Sequence, residues 1–239
     1  MNGENIMLLY KYKSLSNIQH IAELICEQKI HCSTLHDLND LWEGKFVYSG
    51  VTTKYRNGMS VDSSNTEVRS VYDFPHLDTI KICSLSSCKE NYLLWAYYAD
   101  AFKGICVEIE FDNSLIASEQ VREMDKLNKV SYKGFYIHKA ASFDDEFNMI
   151  NSDPQMASLL DIVTNKSKHW AHEEEYRLLT NLEKYTIQGQ IRNIYIGDRS
   201  DPLSRKVVQK IAGSIPVYWF RLRTDWNKPE KSMFYAENL

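Results

Sequence analysis

The chain has 239 residues, 44% hydrophobic and 25% charged, which is enough apolar material for a sizeable core in one domain. A formal net charge of −4 and a pI near 6.0 exclude an extended, sequence-independent coat over nucleic acid, though not a local basic patch. No apolar run approaches the roughly 18 residues that span a bilayer, and the N-terminus lacks the zones of a signal peptide; a soluble, cytoplasmic protein with no membrane partner is expected.

Residues 6–12 read as a first strand, in which Tyr10, Lys11 and Tyr12 alternate aromatic and basic groups. Ser14 or Ser16 can cap a following helix whose apolar face is Ile18, Ile21, Leu24 and Ile25. Residues 30–34 predict a short second strand, and 38–44 a turn-rich acidic loop. Residues 52–76 are polar, hold Asn57-Gly58 and show no clear period, which predicts an exposed insertion or a mobile lid.

The middle of the chain gives a strand over 79–85 and an aromatic-rich helix over 91–102, stopped by Lys103-Gly104. Residues 105–111 then alternate strictly. Ile105, Val107, Ile109 and Phe111 take one face, and Glu108 and Glu110 point away from the core. Asp153-Pro154 opens a helix with Met156, Leu159, Leu160 and Val163 as its buried stripe. Short strands over 175–180 and 191–197 follow, then a helix opened by Asp201-Pro202 and ended near Gly213, and a last strand over 216–223. Residues 226–239 read as a loosely ordered tail. With no repeat and no proline-rich linker, the pattern predicts an α+β fold: a single domain over 1–239, with a mixed, mostly antiparallel sheet core flanked by helices.

The five cysteines are odd in number and form no Cys-x-x-Cys pair, so they read as reduced, buried thiols. Ser86-Ser87-Cys88-Lys89 fits Ser-x-x-Lys without its companion motifs, and the glycine-rich phosphate cradles are missing. His169 and His172 are three apart with no identifiable third ligand; they read as solvated or hydrogen-bonded, and no metal is expected. A metal-dependent nuclease or hydrolase built on them is a third functional reading.

The most informative segment is Trp170 to Arg177. Three adjacent acids are ordinarily a solvated face, but Glu173-Glu174-Glu175 runs straight into the strand-like Tyr176-Arg177-Leu178-Leu179. Period two then places Glu175 and Arg177 on one face, and Tyr176 and Leu178 on the other. Glu173 joins the first face if the strand starts earlier. A carboxylate beside a fixed guanidinium stays ionised, which suits a group that orients a hydroxyl or stabilises a developing cation. The same pair also fits a structural salt bridge. Ser84 and Ser86 end the strand before the aromatic helix, and with Trp95 and Tyr98 they suit a ligand with planar rings; a core role for Trp95 and Tyr98 is the competing reading. Tyr10, Lys11 and Tyr12 offer a further wall for the same cleft.

Taken together these segments resemble a bacterial family named only as domain of unknown function 2971. The resemblance rests on Leu9-Tyr10-Lys11-Tyr12, Asn39-Asp40, Glu43-Gly44, Cys83-Ser84-Leu85-Ser86, Leu94 to Asp100 with Lys103-Gly104, Val130-Ser131-Tyr132, Trp170, Glu173, Glu175, Arg177 and Ile194 to Gly197. Leu41 stands where the family tends to place proline. The order of parts also resembles, at the level of fold, an ADP-ribosyltransferase. That resemblance implies NAD as co-substrate, Glu175 and Glu173 as catalytic acids, and a nucleotide site formed by Tyr10, Lys11, Tyr12, Ser84, Ser86, Trp95, Tyr98 and Arg177. The first-strand histidine or arginine of those enzymes is absent, and Lys11 is the nearest basic residue. The activity implied belongs to bacterial conflict or phage defence, with the macromolecular target open. A non-catalytic nucleotide-sensing or protein-interaction module is the alternative.

Overall fold

The computed structural model describes residues 6–56, 59–70, 79–115, 125–133, 162–187, 189–223 and 234–239. In chain order its elements are β1 (Ile6–Lys13), α1 (Ile18–Cys26), β2 (Lys29–His31), β3 (Ser33–Thr34), β4 (Lys45–Arg56), β5 (Met59–Ser70), β6 (Lys81–Ser86) and α2 (Tyr92–Tyr98). Then follow β7 (Ile105–Asp112), β8 (Leu127–Lys129), β9 (Glu175–Thr180), β10 (Lys184–Thr186), β11 (Gly189–Gly197), α3 (Pro202–Ala212), β12 (Val217–Leu222) and β13 (Phe234–Asn238). The chain gathers into two compact units. The first takes residues 1–32, 83–128 and 172–239, and the second takes 33–82 and 129–171.

The first unit is organised by a sheet in the order β13-β12-β11-β7-β1-β6-β9-β8. β1 is antiparallel to both β6 and β7, β7 to β11, and β12 to β13, while β11 and β12 are parallel. This is the mixed, mostly antiparallel sheet that the alternating strands predict. A second, two-stranded sheet joins β10 to β2.

Alternation along the central strands separates two cores. On one face Leu9, Val107, Ile109, Ile194 and Ile196 pack with Ile21 and Leu24 of α1 and Val208 of α3. On the other, Tyr10, Tyr12, Cys106 and Tyr195 pack with Leu94 and Trp95 of α2, with Ala99 just beyond its end and with Phe220 of β12. The strands between these faces are buried on both sides, which is why β7 carries Cys106 at 0% exposure and Glu108 at 5%. The carboxylate of Glu108 therefore leaves the larger core only to enter the smaller one, a correction to the expected outward-facing acid. Among the described residues no helix is long and apolar enough to cross a membrane.

Local signals were mostly read to within a few residues, and the exceptions have physical causes. Asn17, and neither serine, caps α1 through the His20 amide, and Ile18 is exposed. Helix α2 ends at Tyr98, well before Gly104, because Asp100, Ala101 and Phe102 all take left-handed conformations with φ of 47°, 50° and 69°. The role of Gly104 is steric: a Cβ there would lie 2.2 Å from the Lys13 carbonyl oxygen. Gly197 stands in the same relation to the Phe102 carbonyl oxygen, also at 2.2 Å. Since both clashes are with backbone, Gly104→Ala is expected to cost about 2–3 kcal/mol, read as a lower urea midpoint.

Two segments carry more regular structure than their sequence pattern announces. The described part of 52–76 is regularly paired: β4 and β5 form an antiparallel hairpin from Lys45↔Ser70 to Arg56↔Met59. Within the expected loose tail, residues 234–238 form β13, the edge strand on β12. The register-defining contacts there are cross-strand, Trp219 to Glu237 and Arg221 to Tyr235, and no local pattern in the tail announces them. Of the helix predicted from Asp153-Pro154, residues 153–161 lie outside the described residues; Ile162 and Val163 are buried.

Candidate functional site

The predicted segment takes its shape from the junction between a 3-10 turn ending at Glu173 and strand β9. Glu174 lies between them with φ 45°, a left-handed conformation that turns the chain from one to the other. The end of β6 and the start of α2 hold this junction. Ser86 Oγ donates to the Glu173 carbonyl at 2.7 Å, the Ser87 amide donates to the Glu174 carbonyl at 3.1 Å, and Ser87 Oγ donates to Glu174 Oε2 at 2.8 Å. Asn91 works twice: its Oδ1 caps α2 at the Leu93 and Leu94 amides, and its Nδ2 donates to the His172 carbonyl.

With the backbone so held, the Glu173 carboxylate accepts the Tyr98 hydroxyl at 2.7 Å, and Glu173 is 4% exposed. Two residues on, alternation sends Tyr176 and Leu178 to the larger core and puts Glu175 and Arg177 on the α2 face of the sheet. Arg177 Nε and Nη2 reach Glu175 Oε1 and Oε2 at 2.8 and 3.1 Å in a fork, with both side chains out of solvent. The sequence-predicted pairing of these two residues is thus observed. Tyr98→Phe leaves the buried Glu173 without this charge-assisted bond and is expected to destabilise the fold by about 1.5–3 kcal/mol, measurable by urea unfolding.

The same face continues across the sheet. Tyr10 is the Cα partner of Ser86 on one side and of Glu108 on the other, and Glu108 in turn faces Asn193. Glu108 accepts Asn193 Nδ2 at 2.5 Å and the Tyr195 hydroxyl at 3.0 Å. Burial first, and then the Glu108 charge, push the pKa values of Tyr10 and Tyr195 well above the ordinary phenol value, so both phenols stay protonated donors. Lys89 stands over the Tyr195 ring at 5.0 Å from its centroid. Sequence reasoning missed Glu108 and Tyr195. The available signal was the pair of tyrosines on β1 and the aromatic helix, which together require β7 to be covered on both faces.

Other predicted residues go elsewhere. Trp95 is 0% exposed, stacked with Phe102 and Phe220 with centroids at 5.8 and 5.0 Å, and its Nε1 donates to the Lys89 carbonyl at 2.9 Å. Its ring is wholly enclosed in the core, so its expected stacking on a ligand is corrected. Tyr12 is buried beside it and donates to the Cys88 carbonyl at 2.7 Å. Lys11 alternates with the tyrosines and lies on the opposite side of the sheet, donating to the Ser84 main-chain oxygen at 2.7 Å. His169 has its Nδ1 2.9 Å from Ser167 Oγ.

Burial, then the charge of Lys11, lowers the Lys13 ammonium to about 8. A lysine whose folded value lies below its unfolded one costs stability wherever both states are charged. The cost is relieved as pH rises from about 8 towards the unfolded value, because the unfolded chain binds more protons in that window. Stability is therefore expected to rise there through Lys13, and Lys13→Met to remove on the order of 2 kcal/mol of that rise. Urea midpoints at several pH values across the window check it.

In the second unit, Lys166 Nζ pairs with Glu43 Oε1 at 3.2 Å, both side chains buried, and stands 4.9 Å over the Trp170 ring. Glu43 and Trp170 belong to the motif set read from the sequence, Lys166 does not, and the arrangement of the three fits a fixed buried ion pair.

Comparison with curated proteins finds no match, and comparison with solved structures finds none. Comparison with known families finds a match from Leu94 in α2 to Leu178 in β9, which takes in Tyr98, Glu173, Glu175 and Arg177 and leaves out Ser86, Ser87 and Asn91. Over residues 94–178 the chain matches the family described as Protein of unknown function (DUF2971), the family that its motifs resemble.

Proposed function

We propose that the α2 face of the first unit binds NAD and transfers its ADP-ribose group, as an ADP-ribosyltransferase-like enzyme. The observation that carries this reading is the tie between Ser86, Tyr98 and the Glu173–Glu175 segment, which gathers hydroxyls and carboxylates from distant parts of the chain on one face. In this reading Tyr98 fixes Glu173, and Arg177 holds Glu175 as an oriented anion. Glu175 accepts the ribose 2′-hydroxyl and stabilises the cationic sugar as the bond from C1′ to the nicotinamide nitrogen breaks. The bonding electrons leave with nicotinamide. A nucleophile on the acceptor then bonds to C1′ and gives up its proton.

A second reading, nucleotide binding without turnover, is favoured by the fork between Arg177 and Glu175, which occupies both carboxylate oxygens. NAD labelled in its adenylate half, incubated with the protein and mixed macromolecules, tests both. Label transfer by the wild type and its loss in Glu175→Gln support the enzyme; tight NAD binding by both proteins without transfer supports the binding module.

A further inference from the structure

Strand β12 shows a different chemistry on the side of the sheet away from α2. Trp219, Arg221 and Arg223 alternate with Tyr218 and Phe220, and pairing with β13 sets Arg221 beside Tyr235. Helix α3 adds Arg205. The result is an alternating column of guanidinium and ring. Arg205 lies 4.3 Å from the Trp219 centroid, Arg221 lies 4.1 Å from the same ring and 5.9 Å from Tyr235, and Arg223 lies 5.8 Å from Tyr235.

The charges in this column are unevenly satisfied. Arg221 pairs with Glu237 at 3.1 Å and with Asp198 at 3.7 Å. Among the described residues no carboxylate pairs with Arg205 or Arg223; the Arg223 Nε and the Trp219 indole N–H also lack an acceptor, but both atoms are buried, so any ligand meets the terminal guanidinium nitrogens. A guanidinium held by its face keeps its N–H edge for an oxyanion, and it is the side chain best matched to phosphate. A single-stranded polynucleotide supplies repeated phosphates together with planar bases that stack on rings and guanidiniums. An acidic peptide supplies only the charge.

We propose that the Arg205–Trp219–Arg221–Tyr235–Arg223 column is a binding surface for single-stranded nucleic acid, with Arg205 and Arg223 on phosphates and Arg221, held by Glu237 and Asp198, fixing the rings between them. The net charge of −4 confines the attraction to this patch, so affinity is modest and salt-sensitive. The inference uses none of the residues assigned to NAD and stands independently of that reading.

Fluorescence anisotropy of the full chain with a labelled oligonucleotide of about 12 nucleotides tests it. The wild type is expected to bind with a Kd between about 1 and 100 µM at about 50 mM salt, and to weaken about sevenfold at about 200 mM, as two phosphate contacts require. The variant Arg205→Gln/Arg223→Gln is expected to lose at least about tenfold in affinity and most of the salt sensitivity. Arg205→Lys/Arg223→Lys, which keeps the charge and loses the planar stack, is expected to bind more weakly than wild type with the salt sensitivity retained. Absence of oligonucleotide binding by the wild type, unchanged binding by the glutamine variant, or binding of polyglutamate that the oligonucleotide does not displace would each overturn the assignment.

Discussion

Arg177→Met is expected to destabilise the first unit by about 3–5 kcal/mol, the largest single loss of stability anticipated in the molecule. Arg177 is 0% exposed and Glu175 3%, so removing the guanidinium leaves a carboxylate in a site without solvent. Its desolvation penalty, no longer offset by the two bonds at 2.8 and 3.1 Å, falls on the folded state alone. The origin of the loss can be checked in two ways. Adding Glu175→Leu to Arg177→Met removes the buried charge and should restore most of the stability, since a buried pair replaced by apolar groups is close to neutral. Lowering the pH should also narrow the gap between Arg177→Met and wild type, because Glu175 can then take up a proton. Urea unfolding of the two variants and wild type at neutral and mildly acid pH measures both effects.

The pair was legible before any coordinates because strand period alone sets residues 175 and 177 on one face. What alternation could not supply was the second buried face of the sheet. The run Ile105 to Phe111 looks like a half-exposed strand, and only the long-range pairing of β7 with β1 and β11 shows that Cys106 and Glu108 are covered as well. The same limit explains Trp95. Its aromatic character fits ligand stacking or core equally, and the choice is made by Phe102 and Phe220, the latter 125 positions along the chain and brought there by the sheet. Helix α2 was overextended because the left-handed run Asp100–Ala101–Phe102 contains no glycine to announce it. β13 was missed because its pairing partner, and no periodicity of its own, makes it a strand.

At the site, the sequence brought together Ser86, Tyr98, Glu173, Glu175 and Arg177, and the fold sets these on one face of the first unit. Lys11 was placed with them because it lies between two tyrosines. A strand sends such a residue to the opposite side, where it meets the Ser84 carbonyl. Asn91 and Ser87 were not singled out, although they hold the turn that aims Glu173, since caps and hydroxyls of this kind carry no charge or period to mark them.

The second large effect concerns turnover. Glutamine at position 175 keeps the shape of the side chain and one acceptor oxygen for Arg177, but it cannot offer a full negative charge to a cationic sugar. Loss of a single preorganised electrostatic group of this kind costs about a hundredfold to a thousandfold in rate. Its effect should fall on the chemical step and leave NAD binding nearly unchanged, because the charge matters most when the glycosidic bond is breaking. The deciding measurement is the single-turnover rate of nicotinamide release at saturating NAD, compared between wild type and Glu175→Gln at equal folded fraction. The proposed activity predicts release by the wild type and at least about a hundredfold slower release by the variant. Equal rates in the two proteins, or bound NAD from which the wild type releases no nicotinamide, would contradict it.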